Sequence, residues 1–171
     1  MEIDEFGEPT GRKYPITYEL LRDQGKNYAK LLRFYLRLCQ KCVKSGYAIS
    51  GHNVGYDLEL LSNTWSEFLG GETIEFSEHV VYDTGALFKA ATLSLLPIPG
   101  ETITRYLTRA KNVRAPGVKW NLLHVIESLG LVDKHSLDVG QLHGAGYDAY
   151  VSFLLFEELR HLLEGASHGS R

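Results

Sequence analysis

The stretch Tyr47–Leu58, with the sequence YAISGHNVGYDL, decides the expected fold. Its first four residues form a short apolar run that predicts a buried strand, and the polar residues 51–53 follow where that strand would pass into a helix. Asp57 lies at the predicted start of the helix, where a carboxylate faces the positive end of the helix dipole and stays ionised. This position suits a helix cap or a metal ligand, and the stretch taken alone favours the cap.

A second polar stretch, His143–Ala149 with the sequence HGAGYDA, also precedes a predicted helix. Its glycines at 144 and 146 allow a tight backbone turn, so His143 is expected on a loop and Asp148 on the first helical turn. An imidazole can take a proton from water near neutral pH, and a carboxylate can hold a cation. Either stretch alone would indicate capping, but the two together point to catalysis.

The rest of the chain alternates between helical and extended patterns, which indicates an α/β domain. Residues 1–18 carry turn chemistry between two brief extended segments, which predicts a hairpin, and residues 96–118 are predicted to be irregular. We predict one domain over 1–164, followed by a flexible tail at 165–171. The predicted helices cover 28–46, 57–69, 86–95, 120–129 and 146–163, and the predicted strands cover 47–50 and 78–82.

The composition describes a globular chain and excludes several classes of protein. Of 171 residues, 44% are hydrophobic and 23% charged, and the net charge is −3. No apolar window reaches the roughly 18 residues of a membrane span, and the first residues do not resemble a signal peptide, so we expect an intracellular protein, cytoplasmic or nuclear. Cys39 and Cys42 are interpreted as small core residues, because no second ligand pair at zinc-finger spacing accompanies them.

A local basic stretch occurs although the chain is slightly acidic overall. Between Glu101 and Glu127 there is no carboxylate side chain. The segment could follow the phosphates of a nucleic acid while an aromatic ring stacks on a base, or it could be a solvated loop with Trp120 in the core. The sequence leaves both readings open. Its basic and aromatic members are Arg105, Tyr106, Arg109, Lys111, Arg114, Lys119 and Trp120.

The two polar stretches resemble motifs of the DEDDh 3′-5′ exonucleases, a family named for four acidic residues and one histidine. HNVGYD is similar to the second motif and HGAGYDA to the third. Tyr82–Thr84 resembles a strand end common in the family, and Trp120–Leu131 resembles the helix that precedes the third motif. The resemblance covers about residues 46–160, and the form HxAGYDAY is similar to the poly(A)-specific ribonuclease branch.

The resemblance implies an α/β fold with a ribonuclease H-like mixed sheet flanked by helices. It also implies two Mg²⁺ or Mn²⁺ ions and hydrolysis of RNA or single-stranded DNA from the 3′ end. Asp57 and Asp148 would be metal ligands, and His143 would be the general base. Asn53 would be a structural hydrogen bonder in its turn or, less favoured, a substrate contact. Hydrolysis with two metals needs hard oxygen ligands from several elements, which agrees with carboxylates on separate helices.

The first motif of that family, a D-x-E pair on the opening strand, has no counterpart near the N terminus. Glu2-Ile3-Asp4 has the reversed order, and residues 2–18 better suit a second and third strand, so we expect the first strand to be missing. A protein partner or a second copy of the chain could complete the sheet. We predict that Glu2 and Asp4 do not reach the site and that the chain hydrolyses nucleic acid weakly or not at all. The alternatives are a catalytically impaired module that binds nucleic acid or protein, and a plain α/β fold with coincidental motifs.

Overall fold

The computed structural model describes residues 27–69 and 81–164, together with Glu19, Arg22, Asp23 and Gly25. The chain divides into two compact units, residues 1–38 and 39–171. The predicted hairpin at 1–18, with Glu2 and Asp4, lies outside the described residues, and so does the predicted tail at 165–171.

The first helix, α1, covers Tyr28–Lys44 and confirms the helix predicted there. It begins after Asn27, whose side-chain oxygen accepts a hydrogen bond from the backbone N–H of Lys30. Leu32 and Leu36, one turn apart, are buried, as an amphipathic helix requires. In the second unit, Cys39 and Cys42 are free and half-buried, and burial is the main cause of the raised pKa of the Cys39 thiol.

The second unit is mixed α/β and mostly helical in its described part, which confirms the α/β class predicted from the alternating patterns. Strand β1, Ile49–Gly51, pairs in parallel with strand β2, Val81–Asp83, in a two-stranded sheet. Helices surround this sheet: α7 packs against β1, and α2 and α4 pack against β2. The helices are α2 (Val54–Leu69), α3 (Thr84–Thr92), α4 (Ile103–Asn112), α5 (Leu122–Ser128), α6 (Leu131–Lys134) and α7 (Ala145–Leu159), and 3-10 turns cover Val139–Gln141 and Arg160–Leu163.

Helix α4 corrects the prediction that residues 96–118 are irregular. Its side chains at Ile103, Tyr106, Leu107 and Ala110 are buried and repeat at helical spacing. The helix begins at Thr102, whose hydroxyl accepts a hydrogen bond from the N–H of Arg105. The helix was not predicted because the basic residues between these apolar positions suggested a phosphate-binding loop.

A partly buried ion pair holds α4 to the segment before it. The Arg109 guanidinium donates to both carboxylate oxygens of Glu101, at 2.8 and 2.7 Å, and also to the carbonyl oxygen of Leu96 at 2.8 Å. The hydrogen bond from Arg109 is the main cause that lowers the pKa of Glu101 to about 2. The Tyr106 hydroxyl adds a 2.9 Å hydrogen bond to the carbonyl oxygen of Leu95. Much of the segment predicted to be irregular is therefore fixed by specific contacts.

The hydrophobic core of the second unit lies among α3, α4, α5 and α7. Its fully buried members include Leu87, Val125, Ile126, Val151 and Leu155. The helical spacing of the last helix predicts Ala149, Phe153, Phe156, Leu159 and Leu163 on its buried side. Leu159 is buried, and Phe156 and Leu163 pack against the core, but Ala149 and Phe153 are exposed. Val151, Ser152 and Leu155 are buried as well. Within the described ranges, no helix combines the length and the apolar character that a membrane span needs.

Candidate functional site

The parallel pairing of β1 with β2 brings two polar segments to one edge of the sheet. Gly51 lies opposite Asp83 in the register, so both strands end at the same level. His52 and Asn53 follow β1 directly, and Thr84 follows β2 as the first residue of α3. Open α/β sheets gather functional groups at the carboxyl ends of their strands. A functional site is therefore expected at this edge of the sheet.

Asp83 ties both strand ends together with a single buried carboxylate. Its Oδ1 accepts backbone N–H groups from Asn53 and Gly85 at 3.0 Å and from Ala86 at 3.4 Å. Its Oδ2 lies 3.3 Å from the Nζ atom of Lys111. Asp83 is thus the N-cap of α3 and also the anchor of the loop that follows β1. The carboxylate has a structural role that its resemblance to a family strand end did not specify.

His52 fixes the position of Trp120 beside the strand ends. Its Nε2 lies 2.7 Å from the carbonyl oxygen of Trp120, and its Nδ1 lies 3.1 Å from the hydroxyl oxygen of Thr84. A carbonyl oxygen only accepts, so Nε2 carries the hydrogen in this contact. The imidazole therefore bridges the loop after β1, the start of α3 and the segment before α5.

Two lysines converge on the same edge. The Lys111 ammonium contacts Asp83 and donates to the side-chain oxygen of Asn53 at 3.3 Å. The Lys89 ammonium donates to the backbone carbonyl oxygen of Lys111 at 2.6 Å and lies 4.6 Å from the centre of the Trp120 ring. Lys89 is only 5% exposed, which is rare for lysine. The arrangement is a dense set of contacts with more positive than negative charge.

These side chains line a cavity of about 270 Å³ that is open to solvent on one side. We call the polar residues around it the strand-end cluster, which consists of His52, Asn53, Asp83, Lys89, Lys111 and Trp120. The remaining lining comes from Gly85, Ala86 and Asn112. Two ammonium groups and one carboxylate give the cavity a positive balance, so it suits an anionic ligand.

The residues predicted from the two motifs lie apart from this bonding network, except Asn53. Asp57 is exposed on the first turn of α2. Asp148 is half-buried on the first turn of α7, and its Oδ1 accepts the backbone N–H of His143 at 3.0 Å. His143 has a φ of 73°, and its side chain is exposed. Asn53, with a φ of 56°, makes the structural hydrogen bonds that its turn position suggested.

The predicted two-ion centre is incomplete in the part of the chain that the structure describes. Across 27–69 and 81–164, no three or more His, Cys, Asp or Glu side chains are grouped so that they could hold a metal ion. Asp57 and Asp148 share no hydrogen bond there, and His143 meets Asp148 only through its backbone N–H. Two ions need more oxygen ligands than two carboxylates supply. The described residues alone do not fit a pair of ions.

The sequence interpretation missed Lys89 and His52 as members of a site. Lys89 stands in a run of small and apolar residues on α3, and a charged side chain in such a run is a signal of a buried cation. Lys111 was noticed, but as one member of a basic stretch. In that stretch Arg109 and Lys111 pair with carboxylates, whereas Arg105, Arg114 and Lys119 are exposed.

No protein-family model, curated protein or solved structure matches the chain. The geometry itself defines the class of site, which is a small cationic cavity at the carboxyl ends of two parallel strands. Trp120, 44% exposed, presents an indole ring there. A lining of this kind suits an anion that also carries a flat or polar group.

Proposed function

We propose that the chain is a 3′-5′ exonuclease-like domain of the ribonuclease H-like fold that acts on the 3′ ends of RNA or single-stranded DNA. The observation that carries the proposal is the packing of α7 against β1. Helix α7 begins within the HGAGYDA motif, and β1 leads into the GHNVGYD motif. The helix that begins in one motif therefore packs against the strand that leads into the other, although the two motifs lie far apart in sequence.

The charge around the strand ends supports a polyanionic substrate. Lys89 and Lys111 line the cavity, and Arg105, Arg114 and Lys119 are exposed on or after α4. Basic side chains of this kind bind phosphate groups and release counterions from a nucleic acid. A slightly acidic chain with a local concentration of positive charge matches a protein that binds one strand end and does not coat a duplex.

His143 is proposed as the general base. It stands on a loop beside Gly144, its side chain is exposed, and its backbone N–H is held by Asp148. The imidazole is therefore free to take a proton from an attacking water, while the loop that carries it is fixed by the carboxylate. Asp57 and Asp148 would hold a divalent cation, and such ions supply charge stabilisation at the scissile phosphate. Further carboxylates must come from residues outside the described ranges, from a partner or from a second copy.

A second candidate function is a catalytically impaired module that binds nucleic acid or protein. The specific observation in its favour is that the described residues hold no group of three or more metal-ligating side chains. The strand-end cluster would remain useful in such a module, because binding a phosphate requires no metal-ligating carboxylates. The two candidates differ in hydrolysis and metal binding, not in affinity for a strand.

The deciding experiment is degradation of a 5′-labelled single strand of RNA or DNA with Mn²⁺ or with a chelator. We expect weak 3′-5′ shortening that requires Mn²⁺ and is lost in Asp57→Asn and in Asp148→Asn. Glu59→Gln is the matched control, since Glu59 is an exposed carboxylate on the same helix as Asp57. In calorimetric titration we expect Mn²⁺ to bind the parent chain and Glu59→Gln, and to bind Asp57→Asn and Asp148→Asn more weakly or not at all.

Other outcomes separate the candidates. Strand binding without Mn²⁺ affinity or hydrolysis would favour the impaired module. Robust hydrolysis that disappears in the double variant Glu2→Gln, Asp4→Asn would make these residues the first motif and contradict our prediction about them. Absence of both hydrolysis and strand binding would overturn the exonuclease and the nucleic-acid-binding form of the impaired module.

A further inference from the structure

Lys89 is a buried cation without a carboxylate partner in the described part of the chain. The residue is 5% exposed, and its ammonium contacts the carbonyl oxygen of Lys111 and the ring of Trp120. A buried charge usually has an ionic partner, because removal from water costs several kcal/mol that neutral contacts only partly offset. Among the described residues, Asp83 is the one carboxylate that lines the cavity, and it contacts Lys111 instead. The ammonium of Lys89 therefore lacks the negative charge that its burial calls for.

The cavity beside Lys89 offers a place where an anionic ligand can bind. Lys89 and Lys111 both line the cavity of about 270 Å³ beside the strand ends. The Asp83 carboxylate there is already occupied by three backbone N–H groups and by Lys111, so it repels an incoming anion less than a bare carboxylate would. A phosphate has several strong acceptor oxygens and can contact two ammonium groups together. The cavity thus offers a doubly cationic wall to a single phosphate.

The remaining lining suits a heteroaromatic group. The Trp120 ring is partly exposed and is held in place by the contact of its carbonyl with His52. Asn53 and Asn112 bring amide groups to the lining, and amides can bond to the edge of a base. The volume of about 270 Å³ lies just below the usual range for small-ligand pockets, about 300–1,000 Å³, which leaves room for one small unit.

We propose that this cavity binds one nucleotide, either free or as the terminal residue of a strand. Its phosphate contacts Lys89 and Lys111, and its base lies against Trp120. The choice of a nucleotide over another aromatic phosphate rests on the proposed function, whereas the anion site itself rests on Lys89. Binding at this cavity requires no metal ion and none of Asp57, His143 and Asp148.

Tryptophan fluorescence gives a direct measurement, because the chain has two tryptophans and only Trp120 lines the cavity. In a Trp65→Phe background, Trp120 is the sole indole. The protein is titrated, in a chelator, with AMP, UMP, adenosine, inorganic phosphate and a 5′-phosphorylated hexanucleotide. We expect saturable quenching by the monophosphates, weaker binding of adenosine and of phosphate, and a Kd at or below about 1 mM. The hexanucleotide shows whether a strand end competes with the free nucleotide.

The matched variants are Lys89→Met, which keeps an apolar stem without the charge, and Lys119→Met, which removes an exposed charge next to Trp120. We expect Lys89→Met to weaken nucleotide binding at least about 10-fold, as loss of a charged hydrogen bond does, and Lys119→Met to change it less than about 2-fold. The Asp57→Asn and Asp148→Asn variants should bind the nucleotide with the same Kd as the parent chain. Failed hydrolysis with intact nucleotide binding would therefore count against the proposed function alone.

Several results would overturn the inference. The first is the absence of quenching and of calorimetric heat when the parent chain is titrated with a monophosphate up to about 10 mM. The second is an equal loss of nucleotide affinity in Lys89→Met and Lys119→Met. The third is equal affinity for phosphate and nucleotide. Should Lys89→Met fail to fold, the titrations of the parent chain still decide, because they need no substitution at Lys89.

Discussion

The strand-end cluster and the motif residues Asp57, His143 and Asp148 are built in opposite ways. In the strand-end cluster, Asp83 alone accepts three backbone N–H groups and pairs with Lys111. Among the motif residues the described structure has a single hydrogen bond that involves a side chain, from the backbone N–H of His143 to Asp148. Both regions lie on segments connected with β1: His52 and Asn53 follow the strand directly, and α7, which carries Asp148, packs against it.

The comparison teaches which polar groups hold the fold and which are available to a ligand. Buried polar groups must be paired, and removal of one member leaves its partners unsatisfied. Exposed groups can exchange water for a substrate or an ion at little cost to stability. We therefore expect substitutions in the strand-end cluster to change stability, except at Lys89, and substitutions of the motif residues to leave it nearly unchanged.

Asp83→Ala should give the largest effect. The substitution removes the N-cap of α3, leaves the N–H groups of Asn53 and Gly85 without an acceptor and deprives Lys111 of its carboxylate. We expect the free energy of unfolding to fall by about 2–4 kcal/mol and the melting temperature by about 5–15 °C. Circular dichroism with urea and with heat measures both quantities.

Asp138→Ala is the control for this prediction. Asp138 also caps a helix, but the helix is a short 3-10 turn, and the side chain is exposed. Its removal should cost less than about 1 kcal/mol. Equal losses in the two variants would mean that Asp83 acts only as a cap and that the contrast between the regions is wrong.

His52→Ala should give an intermediate effect. The imidazole contacts the carbonyl oxygen of Trp120 and the hydroxyl of Thr84, which is fully buried. Loss of both contacts should lower the free energy of unfolding by about 1–2 kcal/mol. It should also shift the emission of Trp120, because the ring loses its fixed position. The exposed His135 offers a control, and His135→Ala should stay within about 0.5 kcal/mol of the parent.

In the described part of the second unit, most helices and both strands follow from the sequence, because their apolar patterns are undisturbed. The helix at α4 was not predicted, although Ile103, Tyr106, Leu107 and Ala110 carry the period, since the basic residues between them favoured another explanation. On α7 the sequence is apolar on nearly every side, so the period could not tell the buried Leu155 from the exposed Phe153.

The strand-end cluster could not be predicted from the sequence, for a different reason. Lys89 and Trp120 come together because α3 and the segment before α5 meet at the end of β2, and no local pattern reports such a meeting. The motif residues can be recognised in the sequence because each lies near glycines where a helix begins, and this signal is local. Local chemistry can be read from a sequence, whereas a long-range pairing of charges needs the register of the strands.

His143→Ala should give the smallest effect on stability and tests the comparison at its other end. The side chain of His143 is exposed, and its one contact with Asp148 uses the backbone N–H, which alanine keeps. The left-handed φ of 73° suits histidine slightly better than alanine, so we expect a change within about 0.5 kcal/mol. His143→Gly, which adopts that φ without strain, should be as stable as the parent or slightly more so. Any Mn²⁺-dependent hydrolysis should nevertheless fall about 10²- to 10⁴-fold in both variants, because a general base acts in the transition state and not in the fold. A loss of stability as large as that of His52→Ala, with hydrolysis unchanged, would place His143 among the structural histidines and remove the contrast between the two regions.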